Sequence, residues 1–101
     1  MSVCTGAFFL AKAGLPEGKK ATTFHSVIQN LRDIAPNTEV LERVRWVDNG
    51  QVITTAGISA GIDGSLHVID QFFGREKAVD VATYMEYDKW QPDSGIVVHK
   101  K

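Results

Sequence analysis

The chain has 101 residues, 44% hydrophobic and 23% charged, with nine glycines, three prolines and one cysteine. Those fractions exclude collagen, coiled coil and wholesale disorder, and a lone cysteine excludes an internal disulfide framework or a Cys-rich metal site. Eleven basic against twelve acidic side chains leave a formal charge of -1, so no global field draws in nucleic acid or an anionic membrane. The longest apolar stretch, Ala7 to Leu10 with Ala11 and Ala13 beyond Lys12, is too short to span a bilayer, and no basic region precedes it. The expectation is one domain at most, in a reducing compartment, the cytoplasm.

In chain order, Thr5 to Ala13 predicts a helix that is apolar nearly all round and therefore buried, stopped at Gly14. Pro16-Glu17-Gly18 predicts a turn and Lys20 to Thr22 a short strand. Thr23 is placed to cap a second helix from about Phe24 to Ala35, closed by Pro36-Asn37, with Val27, Ile28, Leu31 and Ile34 on its inner face. Thr38 to Leu41 predicts another strand. Arg45-Trp46-Val47 and Val52-Ile53-Thr54 flank Asp48-Asn49-Gly50-Gln51, a hairpin with Asn-Gly at the two positions that need positive φ. A third helix from near Ser59 to Phe73-Gly74 carries a core stripe of Ile62, Leu66, Ile69 and Phe73. A fourth runs from Arg75 to about Asp88, and the tail from Lys89 holds a short strand at Ile96-Val97-Val98.

Strands alternating with helices predict an α/β fold with a mostly parallel sheet. Each strand-helix-strand unit takes roughly 30 residues, so a complete doubly wound domain needs on the order of 150. The chain supplies about half of one, and it opens at Met1-Ser2-Val3-Cys4 with no full strand before the first helix.

That opening carries the chemistry. Cys4 sits just ahead of a helix with Gly6 two residues on, the arrangement of a nucleophile elbow, in which a strained turn projects the side chain. The positive end of a helix favours a thiolate, and its amides can steady an oxyanion. Read from spacing alone, Cys4 is either such a nucleophile or a small buried hydrophobe.

Ser2-Val3-Cys4-Thr5-Gly6-Ala7, Ala13-Gly14-Leu15, Gly18-Lys19-Lys20-Ala21-Thr22-Thr23, Val47-Asp48-Asn49-Gly50 and Ala56-Gly57-Ile58-Ser59-Ala60-Gly61-Ile62-Asp63 occur in the order seen in the ThiJ/PfpI (DJ-1-like) family. The sequence from residue 2 to about 90 resembles that family, a branch of the class I glutamine amidotransferase-like superfamily. The resemblance implies a flavodoxin-like three-layer α/β sandwich, here incomplete: its C-terminal half, with the hairpin as an excursion. It implies a partial domain over 1-90 followed by a tail over 91-101. Cys4 then matches the reactive cysteine. Where the family's intracellular-protease branch has a His after that cysteine, this chain has Thr5, so proteolysis is not expected. Cys-Thr-Gly-Ala is instead similar to the branch of isonitrile hydratases and of the sensing domains of some transcription regulators.

The implied catalytic residues are Cys4, Thr5 and His25, with Gly6, Ile58 and Ser59 bordering the substrate. His25 stands one place later than the His of many relatives, a change of direction of about 100° at a helix start. It either reaches Cys4 or is a half-exposed residue of the first turn. The family's acid lies on an earlier segment that this chain lacks. Ser59 equally reads as a helix cap, with the glycines around it permitting close packing. The segment lacks a Walker lysine and does not fit a dinucleotide loop.

Asp63, His67 and Asp70 share a helical face and read as a solvated polar stripe before they read as a metal site. Trp46 and Trp90 read as packing residues, and His99-Lys100-Lys101 as a solubilising end. No metal and no cofactor is expected. The function the resemblance implies is cysteine-dependent chemistry on a small electrophile, of the isonitrile hydratase type, with a non-catalytic ligand-sensing or interaction module, or an inactive truncated fragment, as the alternative. The partners expected are a small molecule and a second or complementing chain that covers the open sheet edge, with neither nucleic acid nor membrane.

Overall fold

The computed structural model describes residues 1–15 and 18–98. Pro16 and Glu17 of the turn expected at Pro16-Glu17-Gly18, and the basic end at His99-Lys100-Lys101, lie outside the described residues. A 3-10 turn over Cys4–Gly6 leads into helix α1 (Ala7–Lys12). The helix stops as the sequence predicts. The Leu15 N–H donates to the Leu10 carbonyl at 3.1 Å and the Gly14 N–H to the Ala11 carbonyl at 3.0 Å, with Gly14 at φ 74°, the pairing of a Schellman motif. There follow β1 (Lys20–Ala21), a 3-10 turn at His25–Val27, α2 (Ile28–Ile34) and β2 (Glu39–Val40). The second half holds β3 (Trp46–Asp48), β4 (Ile53–Thr55), α3 (Ser59–Phe73), α4 (Arg75–Tyr84) and β5 (Ile96–Val97).

This is a mixed α/β globule, and the sheet is less parallel than expected. β1 and β2 pair in parallel as a two-stranded sheet, Lys20 beside Glu39 and Ala21 beside Val40. The other sheet has the order β4-β3-β5, with β3 antiparallel to β4 and parallel to β5. The N-terminal segment runs parallel along the free edge of β4. The Ser2 N–H donates to the Ile53 carbonyl at 2.8 Å, and the Ser2 carbonyl accepts from the Thr55 N–H at 2.9 Å. Two side chains tie the sheets together: the Thr22 N–H donates to Thr54 Oγ1 at 2.8 Å, and Asn49 Nδ2 to the Lys20 carbonyl at 2.9 Å. The antiparallel pairing follows from the hairpin, whose tight loop can only return the chain beside itself.

The hairpin forms, by a different turn from the one expected. Gly50, at φ 88°, is its only positive-φ residue. Asn49 is buried instead, and its Oδ1 accepts the N–H groups of Gln51 and Val52 at 3.0 and 2.9 Å. Its side chain closes the loop that two left-handed residues were expected to close.

The core differs from the pattern reading in the same way. Ala7, Ile28, Leu31 and Val40 form one buried cluster, with Phe8 and Ala11 packed against it. α1 is therefore apolar but only half covered; Phe9 is 80% exposed. Ile34 lies at the exposed end of α2. α3 is covered on the face of Ala60, Gly61, Asp63, Gly64, Leu66 and His67, while Phe73, assigned to its core stripe, is 74% exposed. The small residues explain the rotation. A Cβ on Gly61 would strike Val3, and one on Gly64 would strike Thr55, so the glycine face lets the helix axis close onto β4 and the N-terminal segment. On its other flank α3 packs against α4 through the buried Ala78 and Ala82.

Candidate functional site

Cys4 occupies a strained turn. Its φ is 56°, in the left-handed region that a non-glycine residue adopts only when its surroundings impose it. Two hydrogen bonds impose it here. The Cys4 N–H donates to the Ala56 carbonyl at 3.2 Å, beyond the end of β4, and the Cys4 carbonyl accepts from Thr23 Oγ1 at 2.7 Å. Thr23 was expected to cap the following helix. It makes no cap hydrogen bond; the residue before the turn is Phe24, and the Thr23 hydroxyl, fully buried, is committed to Cys4.

The amides around the thiol are partly engaged: the Gly6 N–H donates to the Val3 carbonyl at 2.9 Å, and the Ala7 N–H to Thr5. The thiol is free and half-buried, and Thr5 beside it is exposed. Among the described residues no hydrogen bond joins Cys4 to a histidine or carboxylate.

His25 is exposed and its ring lies 4.4 Å from that of Phe24, centre to centre. With Thr22, Thr23, Arg43 and Ala56 it lines a cavity of about 300 Å³, so it borders residues that hold the Cys4 backbone. Ile58 and Ser59 part company. Ile58, at φ 35° and 82% exposed, lies beside an apolar groove shared with Val3, Gly61, Ile62 and Met85. Ser59 faces a polar cavity and, like Thr23, is not a helix cap: its Oγ accepts from Arg45 Nη2 at 3.0 Å. Gly57 packs on the ring of Phe24, so this glycine does serve close packing.

The polar stripe of α3 is where sequence reasoning failed. Asp63 is 2% exposed and His67 4%. Asp63 Oδ2 accepts from Arg45 Nε at 2.7 Å and lies 2.6 Å from Nη2 in the same ion pair, and Oδ1 accepts from the Tyr87 hydroxyl at 2.8 Å. Burial, then the hydrogen bond to Asp63 and its negative charge, raise the Tyr87 phenol above its ordinary value of 10.0, so Tyr87 stays a neutral donor. His67 Nε2 bonds Asp48 Oδ2 at 2.8 Å, and its ring stacks on buried Trp46 at 3.9 Å. Asp70 pairs with Arg75 at 2.8 Å. The three residues thus point to three different partners and do not converge on a common centre.

An α/β fold with a cysteine held at a strained turn ahead of a helix defines a class of thiol-bearing proteins. A model of the DJ-1/PfpI family matches residues 1–71, and the chain belongs to that family. It is 40% identical over 98 residues to an isonitrile hydratase of Pseudomonas putida, and that alignment takes in 93% of this chain and 40% of the relative. It is 34% identical over 88 residues to the HTH-type transcriptional regulator CdhR of Pseudomonas aeruginosa, covering 87% of this chain and 26% of the regulator. It is 37% identical over 82 residues to protein DJ-1 homolog A of Arabidopsis thaliana, covering 81% of this chain and 20% of that protein. The chain therefore spans two fifths or less of these relatives.

Proposed function

We propose that Cys4 is the nucleophile of a site that adds water to a small electrophile of the isonitrile kind, on a flavodoxin-like sandwich of which residues 1-90 form part. The observation that carries this reading is the φ of 56° at Cys4, imposed by the Ala56 carbonyl and the Thr23 hydroxyl. Strain of this sort persists only where the surroundings over-determine it, and it concentrates at functional positions. The likeness to an isonitrile hydratase supports this substrate class.

In the proposed reaction the Cys4 thiolate attacks the terminal isonitrile carbon, and a proton is delivered to that carbon to give a thioimidate. Water adds to the thioimidate carbon, the nitrogen is protonated, and the C–S bond breaks, releasing an N-substituted formamide and returning the thiolate. The Thr5 hydroxyl steadies the charge that develops at the substrate, while Gly6 and Ile58 border it. His25, which lines the neighbouring cavity with Thr23, is the described histidine nearest in sequence to that tether and serves as a proton carrier. A further acid from outside the described residues completes the proton transfers.

The likeness to transcriptional regulators supports a second reading, a site that binds a small ligand without turnover. Isonitrile consumption and formamide appearance, measured with the wild-type chain and Cys4→Ser, separate the two. Cysteine-dependent turnover supports the hydratase; saturable binding without turnover supports the sensor. Equal hydration by both proteins would remove Cys4 from the chemistry.

A further inference from the structure

A second cavity, of about 340 Å³, opens where the start of α3 meets the segment after α4. We propose that it binds the carboxylate of a small organic acid, held by Arg45, Lys89, Gln91 and Ser94. The cavity wall carries unused hydrogen-bond capacity. Asp63 is the one acid among the described residues of the wall; its oxygens already accept from Arg45 Nε and the Tyr87 hydroxyl, and Arg45 Nη2 pairs with it. Its charge is compensated and its side chain is shut off from water. What the cavity offers a ligand is therefore donors.

Arg45 is held like a bracket. Asp63 pairs with the Nε and Nη2 side of the guanidinium and Ser59 accepts from Nη2, which leaves Nη1 with no partner among the described residues. The side chain is 40% exposed, so Nη1 is open to an incoming group while the rest of the fork is fixed. Lys89 lines the same cavity and forms no ion pair among the described residues. Ser94 is tied to this corner by its carbonyl, which accepts the Arg45 N–H at 3.2 Å, yet its own hydroxyl is buried without a partner. A turn about its Cα–Cβ bond offers that hydroxyl to the cavity.

Charge selects the ligand. Arg45 and Asp63 cancel, Tyr87 is neutral, and Lys89 leaves one positive charge. A monoanion matches it, whereas a phosphate dianion brings a second negative charge toward Asp63. The volume lies at the lower end of the range for small-molecule pockets, so the occupant is a small acid with a short organic part. Because the guanidinium is already immobilised, little ordering opposes binding.

The inference does not rest on the role of Cys4, and its test keeps them apart. With the full chain labelled with ¹⁵N, the Arg45 Nε–H signal is followed during titration with sodium propionate, sodium chloride or sodium phosphate at constant ionic strength. Propionate should give a saturable shift in the wild type and equally in Cys4→Ser. Lys89→Met and Ser94→Ala, which leave the Arg45–Asp63 pair intact, should weaken propionate about fivefold and about twofold. A shift that never saturates, one that chloride reproduces, or an undiminished affinity in Lys89→Met would overturn the proposal. Phosphate binding more tightly than propionate would overturn the carboxylate assignment.

Discussion

Breaking the Arg45–Asp63 pair from its two ends should give unequal results. In Arg45→Met the aliphatic stem survives, and Asp63, 2% exposed, keeps only the Tyr87 hydroxyl. A buried carboxylate left charged costs several kcal/mol, but the fold has a cheaper route, which is to take up a proton. Holding a carboxyl of ordinary value ~3.9 protonated at pH 7 costs about 3 pH units at about 1.4 kcal/mol each, or about 4 kcal/mol. That figure is the ceiling for the ionic penalty at pH 7, and it falls to about 1.5 kcal/mol at pH 5. Asp63→Asn leaves the charge on Arg45, whose side chain is 40% exposed and can be hydrated. Its cost is about 1–2 kcal/mol, with little pH dependence.

The sign follows from linkage. In Arg45→Met the folded chain holds the proton more tightly than the unfolded chain does, so the variant loses stability as pH rises above the unfolded value. The reference is Arg45→Met/Asp63→Leu, in which nothing titrates at that position. Urea denaturation followed by the fluorescence of buried Trp46 at pH 5, 6 and 7 reads the difference. The single variant should fall behind the double by up to about 1.4 kcal/mol per pH unit. A gap independent of pH, or Asp63→Asn as damaging as Arg45→Met at pH 7, would refute the assignment of Asp63 as a buried, fully compensated charge.

Three further outcomes follow from the geometry. Thr23→Val removes the hydroxyl that holds the Cys4 carbonyl; it should cost about 1 kcal/mol and slow iodoacetamide labelling of Cys4 if the strained turn is what presents the thiol. Gly50→Val, at φ 88°, should cost on the order of 1 kcal/mol or more, and an unmoved denaturation midpoint would mean that the turn is misassigned. Tyr87→Phe should cost about 0.5–1 kcal/mol near pH 8. Because the folded phenol lies above 10.0, that contribution is complete below pH 10 and lost as pH rises through the folded value, so the two proteins should converge in stability at strongly alkaline pH.

The local elements were legible because short-range rules govern them. The 15-residue α3 begins and ends where Ser59 and Phe73-Gly74 predict, and the Asn-Gly hairpin lies between the strands assigned to it. The failures share a cause. Thr23 and Ser59 have the chemistry of caps, but their hydroxyls are engaged by Cys4 and Arg45, 19 and 14 residues away. Asp63 and His67 read as solvated because a helix pattern does not reveal the groups that will cover it; Arg45 and Asp48 arrive from the hairpin to pair with them. One signal was present: the hairpin offers a cation then an anion, Arg45 and Asp48, and α3 offers the complement, Asp63 and His67. Such complementary spacing between a predicted hairpin and the next helix argues for burial.

The way Cys4 is held bears on how one fold serves both a hydratase and regulators among the relatives. The Ala56 carbonyl accepts the Cys4 N–H, the Thr23 hydroxyl donates to the Cys4 carbonyl, and the Ala56 N–H in turn donates to the Arg45 carbonyl at 2.9 Å. All of these bonds address the backbone, and none touches the sulfur. The strained turn is thus held by the scaffold rather than by the thiol. Chemistry or mere recognition at this position then depends on what approaches it: a proton-handling group for turnover, or a shaped cavity for binding. In this chain backbone partners fix the turn, and what the neighbouring side chains offer decides its use.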